Sequence, residues 1–476
     1  MKKLLPIILT AALTLTACSA ARDTAPLSTP APTPEPTPAA TPAPVTTDFY
    51  ALNTYDGRFN SGDAYYEFVQ KLGYCLLVKT DYATATQTVC CEIPGCTHDT
   101  DACPAYFPGK YPRYNIAGSP DGLYVWHVSF FYQEKSWDDY YAESVAPRIA
   151  NPDISFEGLT AEEIEAHYRG LWNETTTPPR LYTVSPSGGK TYVDYPLELR
   201  DYQMQYCDGA ALYGISEDVY YSDQNSNVDP VQACRVALAT GEVENFTLLP
   251  TENFVSACGD KLLTRRFVTD APLPSDHEQF EAAIQSATVE FDLLDPRTGE
   301  RTKVWDVPYN TDESYWNTSS YAGYHDGKLY FKRLDTTAAD GNRVQGLAAY
   351  DAANGTTETV WDTWPAEGWE FRGNMMPMQG DKAEPYIIMS RSSPESGDGL
   401  SAIWNVADDT ITPVTQTVEG DSWNNRVFER AQTADGHWLV AIRYDKSTGR
   451  YGYGIISPEQ LVAGSTDWQE VTMWGI

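Results

Sequence analysis

A pair of hairpin turns recurs along this chain at a near-constant spacing, and nothing else in it limits the fold as tightly. The clearest copy runs from Tyr321 to Asp362. Short apolar and aromatic runs flank Asp326-Gly327, a polar loop follows, and a second pair of runs flanks Asp351 to Gly355. Asp-Gly and Asn-Gly between alternating apolar residues are strong hairpin signals, because both positions tolerate the positive φ of a tight turn. Four antiparallel strands result. Inner runs rich in Leu, Tyr and Phe leave such a sheet apolar on both faces, so it folds only when other sheets cover it.

First-hairpin turns fall at Asp56-Gly57, Asp121-Gly122, Asp208-Gly209, Gly259-Asp260, Asp326-Gly327, Gly380-Asp381 and Asp435-Gly436. Second-hairpin turns fall near Ala85, Gly189, Gly241, Gly299, Gly355, Asp409 and Gly464. From Gly189 onward the second turns lie 52, 58, 56, 54 and 55 residues apart, which is the period of four-stranded propeller blades. The expectation is an all-β chain: a seven-bladed β-propeller with small helical insertions, or alternatively a six-bladed ring with a separate N-terminal sheet. Thr160 to Glu163 and Ser275 to Glu278 read as capping boxes that open two helices inserted between second and third strands. Strand order then places both sets of hairpin turns on one face. The long connections, with the cysteine stretch ahead of the second blade, fall on the opposite face, where binding is expected.

Composition agrees, since 32 Tyr, 13 Trp, 33 Gly and 32 Pro in 476 residues suit strands and turns. A formal net charge of −33 repels polyphosphate, so nucleic acid is not an expected partner. At the N-terminus Lys2 and Lys3 precede an apolar run from Leu4 to Leu15, the layout of a secretory signal and too short to cross a bilayer as a helix. Residues 21–47 hold eight prolines, which favour an extended tether with a reach of roughly 80 Å.

Leu15-Thr16-Ala17-Cys18 resembles the bacterial lipobox. That resemblance implies a signal peptide over 1–17, diacylglycerol and palmitate-type acylation of Cys18 as the mature N-terminus, and anchoring to the outer face of the bacterial cytoplasmic membrane. Residues 18–47 then form the lipidated cysteine and tether, and 48–476 the propeller domain. Asp295 to Gly299 followed by Trp305, and Asp351 to Gly355 followed by Trp361, resemble the D-x-x-T-G...W tail of quinoprotein-like, YVTN-type propeller repeats. Five residues separate Gly from Trp here where those repeats have three, so quinone binding is not carried over. From Asp48 onward the chain is similar to exported bacterial lipoproteins with degenerate propeller repeats.

The most unusual chemistry lies in Cys90-Cys91-Glu92-Ile93-Pro94-Gly95-Cys96-Thr97-His98 and the residues up to Cys103. Cys91, Cys96, His98 and Cys103 offer three thiolates and an imidazole, enough for tetrahedral zinc, although the spacing matches no familiar zinc finger. Export favours disulfides instead, and the eight cysteines other than Cys18 form an even set. Cys75 faces Cys90 or Cys91 across a hairpin in this reading, and Cys207 and Cys258 approach each other near the axis. The segment also resembles a C-x-x-P-x-C-x-H motif near the start of similar lipoproteins. Gly188-Gly189-Lys190-Thr191 imitates a phosphate loop but lacks its first glycine, so it reads as a hairpin turn.

No G-x-S-x-G or H-E-x-x-H occurs. The functional expectation is therefore a membrane-anchored, non-catalytic extracellular lipoprotein that binds a protein or glycan partner through its loop-rich face. The alternative is a propeller enzyme acting on extracellular carbohydrate, its paired carboxylates hidden among 66 acidic residues. Trp305, Trp361, Trp364 and Trp369 are expected to pack between blades, or else to offer a stacking platform.

Overall fold

The computed structural model describes residues 48–475 apart from 53–56, 72–73, 109–111, 120–121, 130–134, 152–157, 175–176, 217–228, 310–319, 336–342, 364–369, 372–385, 393–398 and 422–425. Cys18 and the tether lie outside the described residues, as do Gly380-Asp381, Trp364 and Trp369.

The described strands form seven antiparallel sheets, taken up in chain order. The first comprises Phe59–Asn60, Ala64–Lys71, Tyr74–Asp81 and Thr86–Val89. The second comprises Pro112–Ser119, Gly122–Ser129, Arg180–Ser185 and Gly189–Asp194. The third runs from Tyr202–Cys207 to Val243–Pro250, the fourth from Asn253–Cys258 to Glu300–Pro308, and the fifth from Tyr321–His325 to Thr356–Trp361. The sixth runs from Glu370–Phe371 to Thr410–Pro413 and the seventh from Phe428–Gln432 to Gln469–Glu470. The short strand Tyr50–Ala51 adds a fifth member to the third sheet, beside Tyr202–Cys207.

Inner strands such as Tyr74–Asp81 and Ala211–Ser216 bury consecutive residues and so present apolar side chains on both faces, and neighbouring sheets bury that surface in one another. Phe291 of the fourth sheet meets Phe331 of the fifth edge-on at 5.3 Å, and Tyr330 of the fifth meets Trp404 of the sixth at 5.8 Å. The first and seventh sheets also meet. Asn60 donates to the Gln432 carbonyl at 2.6 Å, the Ala434 amide donates to the Gly62 carbonyl at 2.7 Å, and the Gln87 amide donates to the Thr472 carbonyl at 2.8 Å.

Most of the turns fall where the sequence puts them, and Gly209, Gly259, Gly327, Gly436, Gly189, Gly241, Gly299 and Gly355 all take positive φ. Three features differ. The first sheet's opening turn lies at residues 61–63, where the Ser61 amide donates to the Ala64 carbonyl at 2.9 Å, not at Asp56-Gly57. Gly57 is instead a close-packing residue, since a Cβ there would stand 2.7 Å from the Phe68 ring and the Tyr114 carbonyl. Near Gly464 the last connection is a short helix, Pro458–Val462, with a reciprocal Ser457 and Gln460 capping box. That face therefore carries more than tight turns. The third difference concerns the cysteine stretch and is described below.

Both inserted helices are present between second and third strands. Ala161–Glu174 opens on Thr160, whose hydroxyl accepts from the Glu163 amide while Glu163 accepts from the Thr160 amide. The other, His277–Ile284, is capped by Asp276, which accepts from the Gln279 amide at 3.0 Å, one residue later than the Ser275 expected. Asp is as good an acceptor for the free amides as Ser, so both residues were equivalent in the sequence.

Candidate metal centre

The outer strand of the first sheet is split. Thr86–Val89 and Tyr106–Pro108 both pair with Tyr74–Asp81, Val89 opposite Val78 and Tyr106 opposite Leu76. Between them Leu77 holds both ends of the excursion, its carbonyl accepting from the Cys90 amide and its amide donating to the Ala105 carbonyl, each at 2.9 Å. The cysteine stretch is thus a loop thrown out of one sheet edge. It is not a face-capping connection between sheets, and the expectation that placed it there is corrected.

Within the loop, tight turns bring the ligand-type side chains together. Gly95 has φ 73° and His98 φ 61°, and the Cys96 and Cys103 amides close turns onto the Ile93 and Thr100 carbonyls at 3.2 and 3.0 Å. The donor atoms of Cys91, Cys96, His98 and Cys103 all lie within 4.8 Å of one another. His98 Nδ1 stands 3.4 Å from Cys103 Sγ. In a tetrahedral zinc site with Zn–S near 2.3 Å the ligand atoms are about 3.8 Å apart, so this cluster needs to contract by only about 1 Å. These four residues fit zinc.

The electrostatics point the same way. Cys96 is held below the ordinary thiol range, first by the His98 backbone amide and then, against some desolvation, by hydrogen bonds from Cys103 and Cys91. Burial pushes Cys103 up to about 12, because an unpaired thiolate there has no water to solvate it. A divalent cation removes that penalty and deprotonates a coordinating thiol outright.

No disulfide is formed among the described cysteines. All eight described cysteines are free thiols, and three sulfurs around one point leave an odd one whichever pair joins. Cys75 stands opposite Phe107. Cys207 stands opposite Tyr50, and Cys258 shares hydrogen bonds with Ser256 and Tyr321.

Lys190 was missed as a participant. Its Nζ donates to the Cys103 and Asp101 carbonyls at 3.0 and 3.1 Å and pairs with the Asp101 carboxylate at 2.9 Å. Its side chain is 5% exposed, and the ammonium lies over the Phe107 and Tyr106 rings. The Glu92 amide also donates to the Pro186 carbonyl at 2.8 Å. The second sheet's outer hairpin therefore docks the loop. As the sequence suggested, the Gly188 to Thr191 segment is a hairpin turn.

Trp305 and Trp361 are packing residues. Trp305 stacks on Phe331 at 4.9 Å, and Trp361 lies 4.5 Å from Trp404, with both indoles donating to Asp409.

No family model matches the chain, and no curated protein matches it. It is similar to solved structures at low identity. The β-propeller domain of the Trilobed protease from Pyrococcus furiosus has 9% identity and TM-score 0.42, covering 90% of this chain and 99% of that one. Pyrococcus horikoshii acylaminoacyl peptidase has 9% identity and TM-score 0.43, covering 89% of this chain but only 52% of that one. Oligogalacturonate lyase in complex with manganese has 12% identity and TM-score 0.33, covering 71% and 83%.

These neighbours correct one expectation. The non-catalytic assignment finds no support among them: they include an acylaminoacyl peptidase, a puromycin hydrolase and an oligogalacturonate lyase. At these identities the likeness assigns no activity to this chain either.

Proposed function

We propose that this chain is an exported, lipid-anchored, zinc-binding β-propeller protein. The observation that carries the reading is the convergence of Cys91, Cys96, His98 and Cys103 within 4.8 Å. Four protein ligands close a tetrahedral site and leave no open position for a substrate, so the metal is structural. It locks a loop in which none of residues 91–102 is fully buried and, through Lys190 and Pro186, fastens the first sheet to the second.

The propeller is seven-bladed and closed in this reading. Seven sheets in chain order, and the hydrogen bonds that join the first sheet to the seventh, support it over a six-bladed ring with a separate N-terminal sheet. Cys18 carries the lipid and holds the protein to the membrane surface, supported by the lipobox-like Leu15 to Cys18 and the proline-rich tether. Anchored there, the protein meets extracellular protein or glycan partners.

Metal analysis of the purified protein tests the reading. One zinc per chain is expected, removable by chelator and lost in Cys96→Ser. A metal-free protein whose mass falls by two hydrogens per cysteine pair relative to its reduced form overturns it. Labelled palmitate incorporated by the parent and not by Cys18→Ala tests the anchor.

A further inference from the structure

The cysteines of this chain differ in how far an oxidant can reach them. Cys75, Cys90, Cys207, Cys234 and Cys258 are buried, and so is Cys103, at 0% exposed. Of the eight described cysteines only Cys91 and Cys96 come to the surface. Both belong to the metal centre and lie in its outer half. Glu92, Pro94, Gly95 and Thr97 beside them are exposed, and a Cβ added at Gly95 would meet nothing within 4 Å, so the turn between the two cysteines has room to move.

The same turn already brings the two sulfurs close. The Cys96 amide donates to the Ile93 carbonyl at 3.2 Å, which folds Cys96 back towards Cys91, and the sulfurs of Cys91, Cys96 and Cys103 lie within 4.8 Å of one another. A disulfide bond is about 2 Å long, so the exposed pair needs to close by at most about 3 Å. A zinc-bound cysteine is a thiolate, and the thiolate is the form that peroxides oxidise. Reach, proximity and ionisation thus coincide at one pair of residues.

We propose that Cys91 and Cys96 are a peroxide-oxidised pair whose joining expels the zinc, an inference that rests on the zinc-binding reading above. The Cys96 thiolate attacks one oxygen of hydrogen peroxide; the O–O bond breaks, and the departing hydroxide takes a proton and leaves as water, giving a sulfenic acid. The Cys91 thiolate then attacks that sulfur, the S–O bond breaks, and a second hydroxide takes a proton and leaves as water. Two thiolates lose two electrons between them, and one peroxide is reduced to two waters. Only His98 and Cys103 are left to the metal, and two ligands do not close a tetrahedral site. The new bond ties residues 91–96 only to themselves, so their link to Cys103 is lost. With it goes the hold on Glu92, whose amide donates to the Pro186 carbonyl of the second sheet's hairpin at 2.8 Å. Oxidation therefore unfastens the loop from the second sheet, and a thiol reductant refastens it when zinc is present.

The test uses the detergent-solubilised full chain purified under reductant. Zinc is measured first, the reductant is removed, and hydrogen peroxide is added with a zinc indicator present. One zinc per chain is expected at the start, released in step with a mass loss of two hydrogens, and peptide mapping finds Cys91 joined to Cys96. Hydrogen exchange at the Glu92 amide becomes about tenfold faster in the oxidised protein, and dithiothreitol with added zinc restores both metal and protection. A protein without zinc before the oxidant overturns the zinc-binding reading and this inference with it. Where zinc is present at the start, four results overturn the inference alone: zinc retained through peroxide treatment, zinc lost to oxygen addition that dithiothreitol does not reverse, a mapped disulfide that includes Cys103, or unchanged exchange at Glu92.

Discussion

Two excursions leave the first two sheets and hold their shape by opposite means. The one between Gly122–Ser129 and Arg180–Ser185 builds a core of its own. Tyr140, Val145, Ile164, Tyr168 and Leu171 are buried together, and the Arg169 guanidinium lies 3.5 Å over the Trp137 ring. The one between Val89 and Tyr106 buries only Cys90, Cys103, Pro104 and Ala105. Ordering a residue costs about 1–2 kcal/mol of backbone entropy, which an excursion with so little buried apolar area cannot offset by burial. A long excursion can fold as a small helical cluster, whereas a short one needs a cross-link.

The comparison breaks most sharply at the cross-link. Cys103→Ser should abolish zinc binding and release residues 90–108 from the sheet edge. Centres of this kind contribute on the order of 10 kcal/mol to small zinc-dependent folds. Hydrogen exchange should show fast exchange at the Cys90 and Ala105 hydrogen bonds to Leu77, while the helical excursion stays protected. If that region keeps its protection without metal, the loop does not depend on zinc.

The converse change is Ile164→Ala. It removes a buried side chain, 1% exposed, from the helical excursion and should cost about 3 kcal/mol there. Zinc stoichiometry should not change. Limited proteolysis within the helical excursion reads out the loss, and a simultaneous loss of zinc would mean that the two excursions are coupled.

Acid separates the loop from the sheets behind it. His127, on the second sheet, packs against the Tyr114 ring at 4.9 Å with its Nδ1 unpartnered among the described residues. Burial first, and Arg180 second, depress it from 6.5 to about 3. The unfolded chain therefore takes up a proton below about pH 6.5 while the folded one does not, and stability falls from there down to about pH 3. By pH 5 the loss should be about 2 kcal/mol. His127→Phe should flatten that part of the urea-derived stability profile without moving the pH at which zinc is released, and a profile left unchanged would place the acid sensitivity elsewhere.

How much of this was legible depended on how local each signal is. Turn residues such as Asp326-Gly327 carry their conformation with them, so the sheet boundaries could be read directly. Gly57 misled because a glycine kept for close packing looks the same in sequence as one kept for a turn. The four metal-type residues were visible because they fall within thirteen consecutive positions, Cys91 to Cys103. Spacing could not decide between disulfides and a metal, because it cannot say whether sulfurs converge on one point or part into pairs.

Lys190 is the subtlest case, and it bears on whether the loop is held by a metal or by its neighbours. It is remote in sequence from Cys103, yet its ammonium is nearly excluded from water and donates to the backbone at Cys103. It touches no ligand atom, so it acts by positioning. Lys190→Met keeps much of the stem's packing and removes the donor, and should cost about 1 kcal/mol. Zinc stoichiometry should stay at one, with faster release to a chelator, because the Cys103 carbonyl loses its anchor while Cys91, Cys96 and His98 are untouched. Lys190→Arg, which restores a cation and its donors, should recover part of the slow release. If release is equally slow in all three proteins, the second sheet merely abuts the loop, and the metal alone determines its shape.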